Sequence, residues 1–297
     1  MTSSRHSREE PLVAADSDGV GHLRAVSRYY HEPESRLGYS LILGGTKHFG
    51  YYWPGDASWR LRAAMRRMED QLALRLALPP GSRVLDAGCG VGDVATYLAA
   101  APRELDVTGI DILAFNLAKA RRRATARGVG GRTRFLHMDY ARLDFPDGHF
   151  HGAYTMETLV HSDRVEQVLA GLHRVLRPGG RLVHFEYSRT PATTTNPAAA
   201  RVISDVTRTA VMPGFDRLEH GVLERLLDQA GFVDIQAEDI TGHMLPMLKV
   251  LALISWPTYT VGRLLAHPNR VVNAMSGVEF YRHQDCWRYQ VYTCRKP

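Results

Sequence analysis

The stretch RVLDAGCGVGDVATYLAA, residues 83–100, constrains the fold of this chain more than any other. Its apolar start favours a buried strand ending near Asp86, and helical spacing resumes after the alternating glycines Gly88, Gly90 and Gly92. Glycine adopts backbone torsions that other residues avoid, and the first turn of the following helix offers free N–H groups to a ligand. The sequence therefore predicts a strand–turn–helix unit that holds a nucleotide-like cofactor.

The acids around this turn distinguish between cofactors. A dinucleotide-binding turn reads G-x-G-x-x-G and ends in a glycine that allows close helix packing around a pyrophosphate. Here the pattern is D-x-G-x-G-x-G, with Asp93 where the last glycine would be. A carboxylate before the first glycine suits a cofactor that is cationic nearby, so the turn argues against NAD.

Strand-like and helix-like segments alternate from residue 83 to residue 187. Helices are predicted over 92–100, 114–127 and 163–176, and Pro178-Gly179-Gly180 is predicted to separate the last of them from a strand. Short β-rich runs separated by helices are typical of a parallel sheet with crossover connections. Two later segments, FVDIQAEDI and WRYQVYTCR, are expected to pair antiparallel at a sheet edge.

The composition of the chain divides it into four parts. Residues 1–20 are polar and are expected to be a flexible tail, and residues 21–78 an N-terminal helical and aromatic arm. Residues 79–189 are the expected cofactor-binding core, and residues 190–297 a substrate lid with the last strands. The lid contains an apolar helical segment, HMLPMLKVLALISWPTYTVGRLL, which we expect Pro246 and Pro257 to break.

Charge and cysteine content exclude several classes of protein. The net charge of +6 is spread along the chain, and its densest run, Arg121–Arg123, fits a solvated helix face, so no nucleic-acid partner is expected. Three cysteines without metal-ligand spacing fit neither a disulfide framework nor a zinc site, and they favour a reducing cytoplasm. No segment reaches ~18 uninterrupted apolar residues, so no membrane span is expected.

A series of motifs in order resembles those of the class I S-adenosylmethionine-dependent methyltransferases. VLDAGCGVGDVATYLA resembles the family's first motif, while VTGIDI and LHMDY place Asp111 and Asp139 after the next two strands. FPDGHFHGAYTMETLVHS and LRPGGRLV are similar to later family segments, and the resemblance covers residues 83–187. It implies a doubly wound, seven-stranded, mostly parallel α/β sheet with an N-terminal helical arm and a C-terminal helical lid.

The same resemblance implies the cofactor, S-adenosyl-L-methionine, released as S-adenosyl-L-homocysteine. It assigns both ribose hydroxyls to Asp111 and the adenine to Asp139 with Tyr140, while the glycines pass along the methionine portion. The full predicted cofactor pocket comprises Tyr30, Asp86, Gly88, Cys89, Gly90, Asp111, Ile112, Asn116, Asp139, Tyr140 and Met156.

The arm segment RYYHEPESRLGYSLILGGTKHFGYYWPGD narrows the resemblance. It is similar to the entry region of sterol, tocopherol and cyclopropane-fatty-acid methyltransferases, a group that includes C-methyltransferases of terpenoid natural products such as teleocidins. In that group the segment closes over the cofactor and contributes tyrosines, which map to Tyr30 and, as the weaker match, Tyr51. The acidic and aromatic string of the sterol enzymes is not reproduced here.

The expected reaction is methyl transfer to a small hydrophobic acceptor, at a carbon of a prenyl or terpenoid double bond, with possible rearrangement or cyclisation. The resulting carbocation is stabilised by aromatic faces, each worth about 0.5 to 2 kcal/mol. The available aromatics are Tyr51, Tyr52, Trp53, Tyr187, Trp256, Tyr259 and Phe280. A base must then accept a proton, and we expect His161 to do so, with Glu157 and Tyr187 as the next catalytic candidates.

Three alternatives stay open at this stage. The first is O- or N-methylation of a hydrophobic phenol, acid or amine in the same cavity. The second is a methyltransferase-fold binding module without activity, and the third, ranked lower, is a prenyl diphosphate acceptor. No metal is expected, since metal-assisted methylation needs several acids near the third and fourth strands. The aromatic arm is a candidate for homo-oligomer contacts.

Overall fold

The computed structural model describes residues 17–31, 46, 48–264 and 272–297, and these form a seven-stranded sheet flanked by helices. The strands are β1 (Arg83–Ala87), β2 (Asp106–Asp111), β3 (Thr133–His137), β4 (Phe150–Met156), β5 (Leu176–Arg189), β6 (Val233–Asp239) and β7 (Trp287–Arg295). Their order across the sheet is β3-β2-β1-β4-β5-β7-β6. Strands β1 to β5 are parallel, and β7 runs antiparallel between β5 and β6. The predicted fold class and the antiparallel edge pair are both confirmed.

Helices cover both faces of this sheet. They are α1 (Ser17–His31), α2 (Leu61–Leu76), α3 (Asp93–Ala99), α4 (Ala114–Ala126), α5 (Val165–Val175), α6 (Pro197–Thr209), α7 (Pro213–Arg217), α8 (Val222–Gln229), α9 (Thr241–Leu264) and α10 (Val272–Arg282). Buried side chains form two large clusters, and neighbouring residues of β1 divide between them: Val84 belongs to one and Leu85 to the other. This alternation is the period of two that a strand buried on both faces requires.

The Pro178-Gly179-Gly180 segment is not the turn that we predicted. Helix α5 ends at Val175 and β5 begins immediately at Leu176, so the segment lies inside the strand. The pairing with β4 shifts register there, since Leu176 pairs with Phe150 and Arg181 with Gly152. Gly179 takes a positive φ of 74° and its N–H donates to the Lys296 carbonyl at 2.9 Å, which holds the irregular stretch against the C-terminal segment.

The lid helix also differs from the prediction. Helix α9 runs unbroken from Thr241 to Leu264 and contains both Pro246 and Pro257, so neither proline ends it. A proline removes one backbone donor and crowds the preceding turn, which weakens a helix without necessarily ending it where packing supports both sides. Helix α9 packs against α10 and contacts β7. It is also the single helix in the described ranges whose length and composition would suffice to cross a membrane.

The first described helix overlaps the end of the segment that we assigned to the N-terminal tail. Helix α1 begins at Ser17, inside the segment that we assigned to the tail, while residues 1–16 lie outside the described residues. Most of the aromatic arm segment between residues 32 and 47 lies outside them too. The division of the chain at residues 79 and 189 stays a prediction.

Candidate active site and cofactor pocket

A cavity of about 300 Å³ lies at the carboxyl ends of the central strands, and every predicted cofactor and catalytic residue lines it. Asp86, Asp111 and Met156 lie at or near the ends of β1, β2 and β4. In open α/β sheets, ligands bind at this edge, where the strand order reverses. Here the reversal lies between β1 and β4. The sheet topology thus brings together side chains that are more than a hundred residues apart in sequence.

The glycine turn after β1 is closely packed on one side and open on the other. Gly88 has a φ of 97°, and a Cβ on it would lie 2.6 Å from the Thr158 Cγ2 atom. Its N–H and that of Cys89 both donate to the Ile110 carbonyl, at 3.0 and 2.8 Å. Gly90 has a φ of 52°, and a Cβ there would meet no atom within 4 Å. The turn therefore needs glycine at Gly88 for packing, while at Gly90 the backbone faces open space.

Asp111 supports this turn directly. Its Oδ2 atom accepts a hydrogen bond from the Gly90 N–H at 2.8 Å, and its Oδ1 atom accepts one from the Leu113 N–H at 2.7 Å. The Asn116 amide lies 3.4 Å from the same Oδ2 atom. The carboxylate that the resemblance assigns to the ribose thus also ties the end of β2 to the glycine turn.

Asp86 is the residue whose surroundings best fit a cationic ligand. It is almost fully buried, and its Oδ2 atom has no hydrogen-bond partner among the described residues. Burial raises the pKa of this carboxyl to about 7, although the nearby Tyr154 hydroxyl acts to lower it; by geometry neither Asp86 Oδ2 nor that hydroxyl has a hydrogen-bond partner in the described chain. A buried carboxylate oxygen without a donor is costly, and a cationic group placed in the cavity would supply one. The ammonium of the methionine part of S-adenosylmethionine is such a group.

The adenine end of the predicted pocket is built from the segment after β3. Asp139 accepts a hydrogen bond from the Ala141 N–H at 2.9 Å and lies 3.6 Å from the Arg164 guanidinium. The Tyr140 hydroxyl donates to the Thr158 carbonyl at 3.0 Å. That bond joins the β3 loop to the segment after β4, so Tyr140 forms a fixed wall of the cavity.

Asp93 has a structural role that its place in the sequence did not suggest. Its carboxylate accepts a hydrogen bond from the Thr46 hydroxyl at 2.6 Å and pairs with Arg127 at 2.6 Å. Burial alone would raise the pKa of Asp93, but the Thr46 hydroxyl and nearby arginines lower it well below its usual range. The residue that replaces a dinucleotide-type glycine thus anchors part of the arm to the start of α3.

His161 is held by hydrogen bonds on both ring nitrogens. Nδ1 lies 2.8 Å from the Val211 carbonyl, which only accepts, so Nδ1 carries the hydrogen. In the neutral ring Nε2 is then an acceptor, and the Tyr30 hydroxyl donates to it at 2.8 Å. The His22 Nε2 atom lies 2.7 Å from the His161 carbonyl. Helix α1 is therefore fastened over the cavity at the predicted catalytic histidine.

Glu157 is the centre of a second buried network. Its Oε1 atom accepts from the Tyr289 hydroxyl at 2.7 Å and the Phe49 N–H at 2.8 Å, and its Oε2 atom accepts from the Tyr187 hydroxyl at 3.0 Å. Burial raises the pKa of Glu157. The residue has a φ of 57°, in the left-handed region, which directs the side chain away from the path of β4. This carboxyl fixes Tyr187 and with it one aromatic wall of the cavity.

Most of the seven aromatic residues that the sequence made available for cation stabilisation lie away from the cavity. Among them only Tyr187 and Phe280 line the cavity. Tyr51 stacks on His243 with ring centroids 4.1 Å apart, and the Tyr259 hydroxyl bonds to Glu279. Tyr51, Tyr52 and Tyr259 are buried in packing away from the cavity, while Trp53 and Trp256 are about half exposed.

Several residues that line the cavity were not predicted from the sequence. The apolar ones share long, flexible or aromatic side chains from the lid region: Met212, Met244, Met247, Leu248, Leu251 and Trp287. A helical repeat of apolar residues in α9 was visible in the sequence, but it could not show which side faces the cofactor. Thr158 is a further omission, and its contact with Gly88 could be found only from the fold.

The comparisons with known proteins agree with this geometry. Residues 84–180 match the model of a methyltransferase domain. An S-adenosyl-L-methionine-dependent Diels–Alderase of Talaromyces variabilis is 41% identical over 280 residues, which cover 92% of this chain and 95% of that protein. A sterol 24-C-methyltransferase of Neurospora crassa is 30% identical over 165 residues, 56% of this chain and 42% of that one. The crystal structure of the 4+2 cyclase SpnF superimposes with a TM-score of 0.73 at 26% identity, covering 98% of this chain and 99% of that chain.

Fold, cavity and relatives define an enzyme with the methyltransferase fold. The chain belongs to the S-adenosylmethionine-dependent methyltransferase family, and it is similar within it to enzymes of secondary metabolism. The predicted family, enzyme class and cofactor are confirmed. Among the described residues no group of three or more His, Cys, Asp or Glu side chains is placed to hold a metal ion.

Proposed function

We propose that this enzyme binds S-adenosylmethionine and closes a ring in a hydrophobic polyene by a Diels–Alder reaction. The observation that carries the proposal is the extent of the similarity to the Talaromyces Diels–Alderase. It covers 92% of this chain, and so it extends beyond the cofactor domain into the lid that forms the acceptor side of the cavity.

The lining of the acceptor side supports this reaction. Met244, Met247 and Leu248 of α9, Phe280 of α10 and Trp287 of β7 all line the cavity. A Diels–Alder ring closure transfers no proton and develops little charge, so the protein contributes mainly by holding the two ends of the polyene together. Fixing reacting groups in one geometry accounts for up to ~7–11 kcal/mol of a barrier in favourable intramolecular reactions. An apolar cavity with stiff aromatic walls suits that task.

The chain's own residues hold the cofactor and close the site. In this proposal Asp86 binds an ammonium group and Asp111 binds hydroxyls, and the Tyr30–His161 hydrogen bond fastens α1 over the opening. When bound, S-adenosylmethionine supplies a cationic sulfonium and an electrophilic methyl group. Exclusion of water by α1 would strengthen every polar contact in the cavity, because the local dielectric constant falls.

A second candidate is C-methylation of a prenyl or terpenoid double bond. The Tyr30–His161 hydrogen bond favours it, since a neutral Nε2 that accepts the Tyr30 proton gives a path for a proton to leave the cavity. The Tyr187 and Phe280 rings, with centroids 5.8 Å apart, offer aromatic faces to a cation. The Neurospora sterol enzyme is named for methylation at carbon.

One experiment distinguishes the two. The enzyme is incubated with polyene, prenylated, phenolic and amine acceptors in the presence of methyl-deuterated S-adenosylmethionine, and in parallel with S-adenosylhomocysteine. A Diels–Alder enzyme converts a polyene to an isomer of unchanged mass, with no deuterium in the product and with either cofactor form. Deuterium on carbon establishes the second candidate, and deuterium on oxygen or nitrogen establishes O- or N-methylation. No turnover of any acceptor despite tight S-adenosylhomocysteine binding would favour a binding module and contradict the proposal.

A further inference from the structure

The outer face of helix α9 carries an unusual concentration of exposed apolar side chains. Leu253 is 66% exposed and Leu264 80%, and five of the eight large exposed hydrophobic residues in the described chain lie on this one helix. The five are Leu253, Ile254, Trp256, Val261 and Leu264. Scattered single hydrophobic residues are normal on a protein surface, but a continuous apolar face marks a contact surface.

Helical spacing shows that these residues form a single face. At 100° per residue, Leu253, Pro257 and Leu264 point in nearly one direction, with Ile254 and Val261 beside them. The opposite side of the helix carries Met244, Met247, Leu248 and Leu251, which line the cavity. Helix α9 is therefore a thin partition between the cavity and the outside.

Charge along this helix is of one sign. Residues 241–264 contain no Asp or Glu, and their two charged residues are Lys249 and Arg263. These are 14 positions apart, so they lie on nearly the same side of the helix, with Trp256 midway between them. An apolar face with basic residues and tryptophan at its edge is the pattern of helices that lie in the headgroup layer of a membrane.

We propose that the outer face of α9 docks on an anionic lipid surface, so that a hydrophobic acceptor enters the cavity from the lipid. The arrangement of charge argues against a second copy of this chain as the occupant. A two-fold contact through this face would repeat the same surface on both partners, and it would gather two Lys249 and two Arg263 side chains with no acid of the helix to pair with them. Anionic headgroups instead neutralise both cations. The proposal concerns the surface alone and does not depend on which reaction the cavity performs.

The test is flotation of the full chain with vesicles of phosphatidylcholine alone and of phosphatidylcholine with phosphatidylglycerol. The wild type is expected to float with the anionic vesicles and to be released by salt. Lys249→Gln combined with Arg263→Gln should weaken binding about 25-fold, or roughly fivefold for each cation. Leu253→Gln combined with Leu264→Gln should weaken binding to both vesicle types by more than about tenfold.

Matched controls keep the test specific. Leu74 of α2 is 69% exposed, so Leu74→Gln removes an equally exposed leucine from another surface. Arg122→Gln, on α4, does the same for charge. Both controls should bind vesicles like the wild type. Every variant should keep the wild-type affinity for S-adenosylhomocysteine. This measurement shows that the variant is folded, and it does not depend on turnover.

Three results would overturn the proposal. The first is failure of the wild type to float with anionic vesicles. The second is an equal loss of binding in the Leu74 or Arg122 control. The third is a concentration-dependent dimer by light scattering that Leu253→Gln dissolves while vesicle binding is absent, which would assign the face to a second copy of the chain.

Discussion

Replacing Gly88 with alanine tests the geometry of the glycine turn independently of the reaction. The added Cβ would lie 2.6 Å from Thr158 Cγ2 and 2.9 Å from Thr158 Oγ1. Both distances are too short for a real contact, so the turn or Thr158 would have to shift. Thr158 is not free to move, because its hydroxyl donates to the Ala87 carbonyl at 3.0 Å. The φ of 97° adds a second penalty, since L-residues avoid this region.

The expected loss of stability follows from these two contributions. A left-handed backbone costs roughly 1–2 kcal/mol in a residue with a Cβ. Overpacking in a closed environment adds about 1–3 kcal/mol. Gly88→Ala should therefore destabilise the fold by about 2–5 kcal/mol, and at ~2–4 °C per kcal/mol for a domain of this size the melting temperature should fall by roughly 4–20 °C.

Gly90→Ala is the matched control for this measurement. Gly90 has a φ of 52°, but its Cβ would meet no atom within 4 Å, so only the backbone penalty of roughly 1–2 kcal/mol applies. Differential scanning calorimetry of both variants without cofactor gives the comparison. Equal melting temperatures for the two variants would refute the packing argument.

Three further predictions concern ligand binding and turnover. His161→Ala removes the partner that fastens Tyr30 and α1 over the cavity, so turnover should fall while the dissociation constant for S-adenosylhomocysteine stays near the wild-type value; unchanged turnover in steady-state kinetics would show that this contact does not support catalysis. Asp111→Ala should bind S-adenosylhomocysteine far more weakly by calorimetry, because the proposed ribose contact and the acceptor for the Gly90 N–H are both lost. An unaltered dissociation constant would contradict the assignment. Asp86 has a pKa of about 7 because burial favours its neutral form, and a bound ammonium favours the carboxylate. Binding should therefore release a proton below pH 7 and tighten as pH rises toward 7, whereas in Asp86→Asn both effects should disappear; calorimetry in two buffers of different ionisation enthalpy measures this.

The residues proposed to bind the cofactor could be predicted from the sequence because short motifs at the strand ends contain them. Gly88, Gly90, Asp111 and Asp139 each follow a strand at a set spacing, and parallel strands bring their carboxyl ends to one edge. The structure places all of them in one cavity. The residues on the acceptor side of the cavity could not be predicted in this way. Tyr51 was expected near the cavity, yet it stacks on His243 outside it.

The sequence by itself determined the order of strands and helices, the glycine turn and the acids that meet there, because hydrophobic period and turn chemistry act within a few residues. Only the tertiary structure decided which face of α9 lines the cavity, that Pro246 and Pro257 leave that helix unbroken, and that Tyr30 reaches His161. These depend on packing between separate elements, some of them far apart in sequence: Tyr30 and His161 are 131 residues apart. A periodic pattern shows that a helix has two faces, but its neighbours in the fold decide which of them is buried.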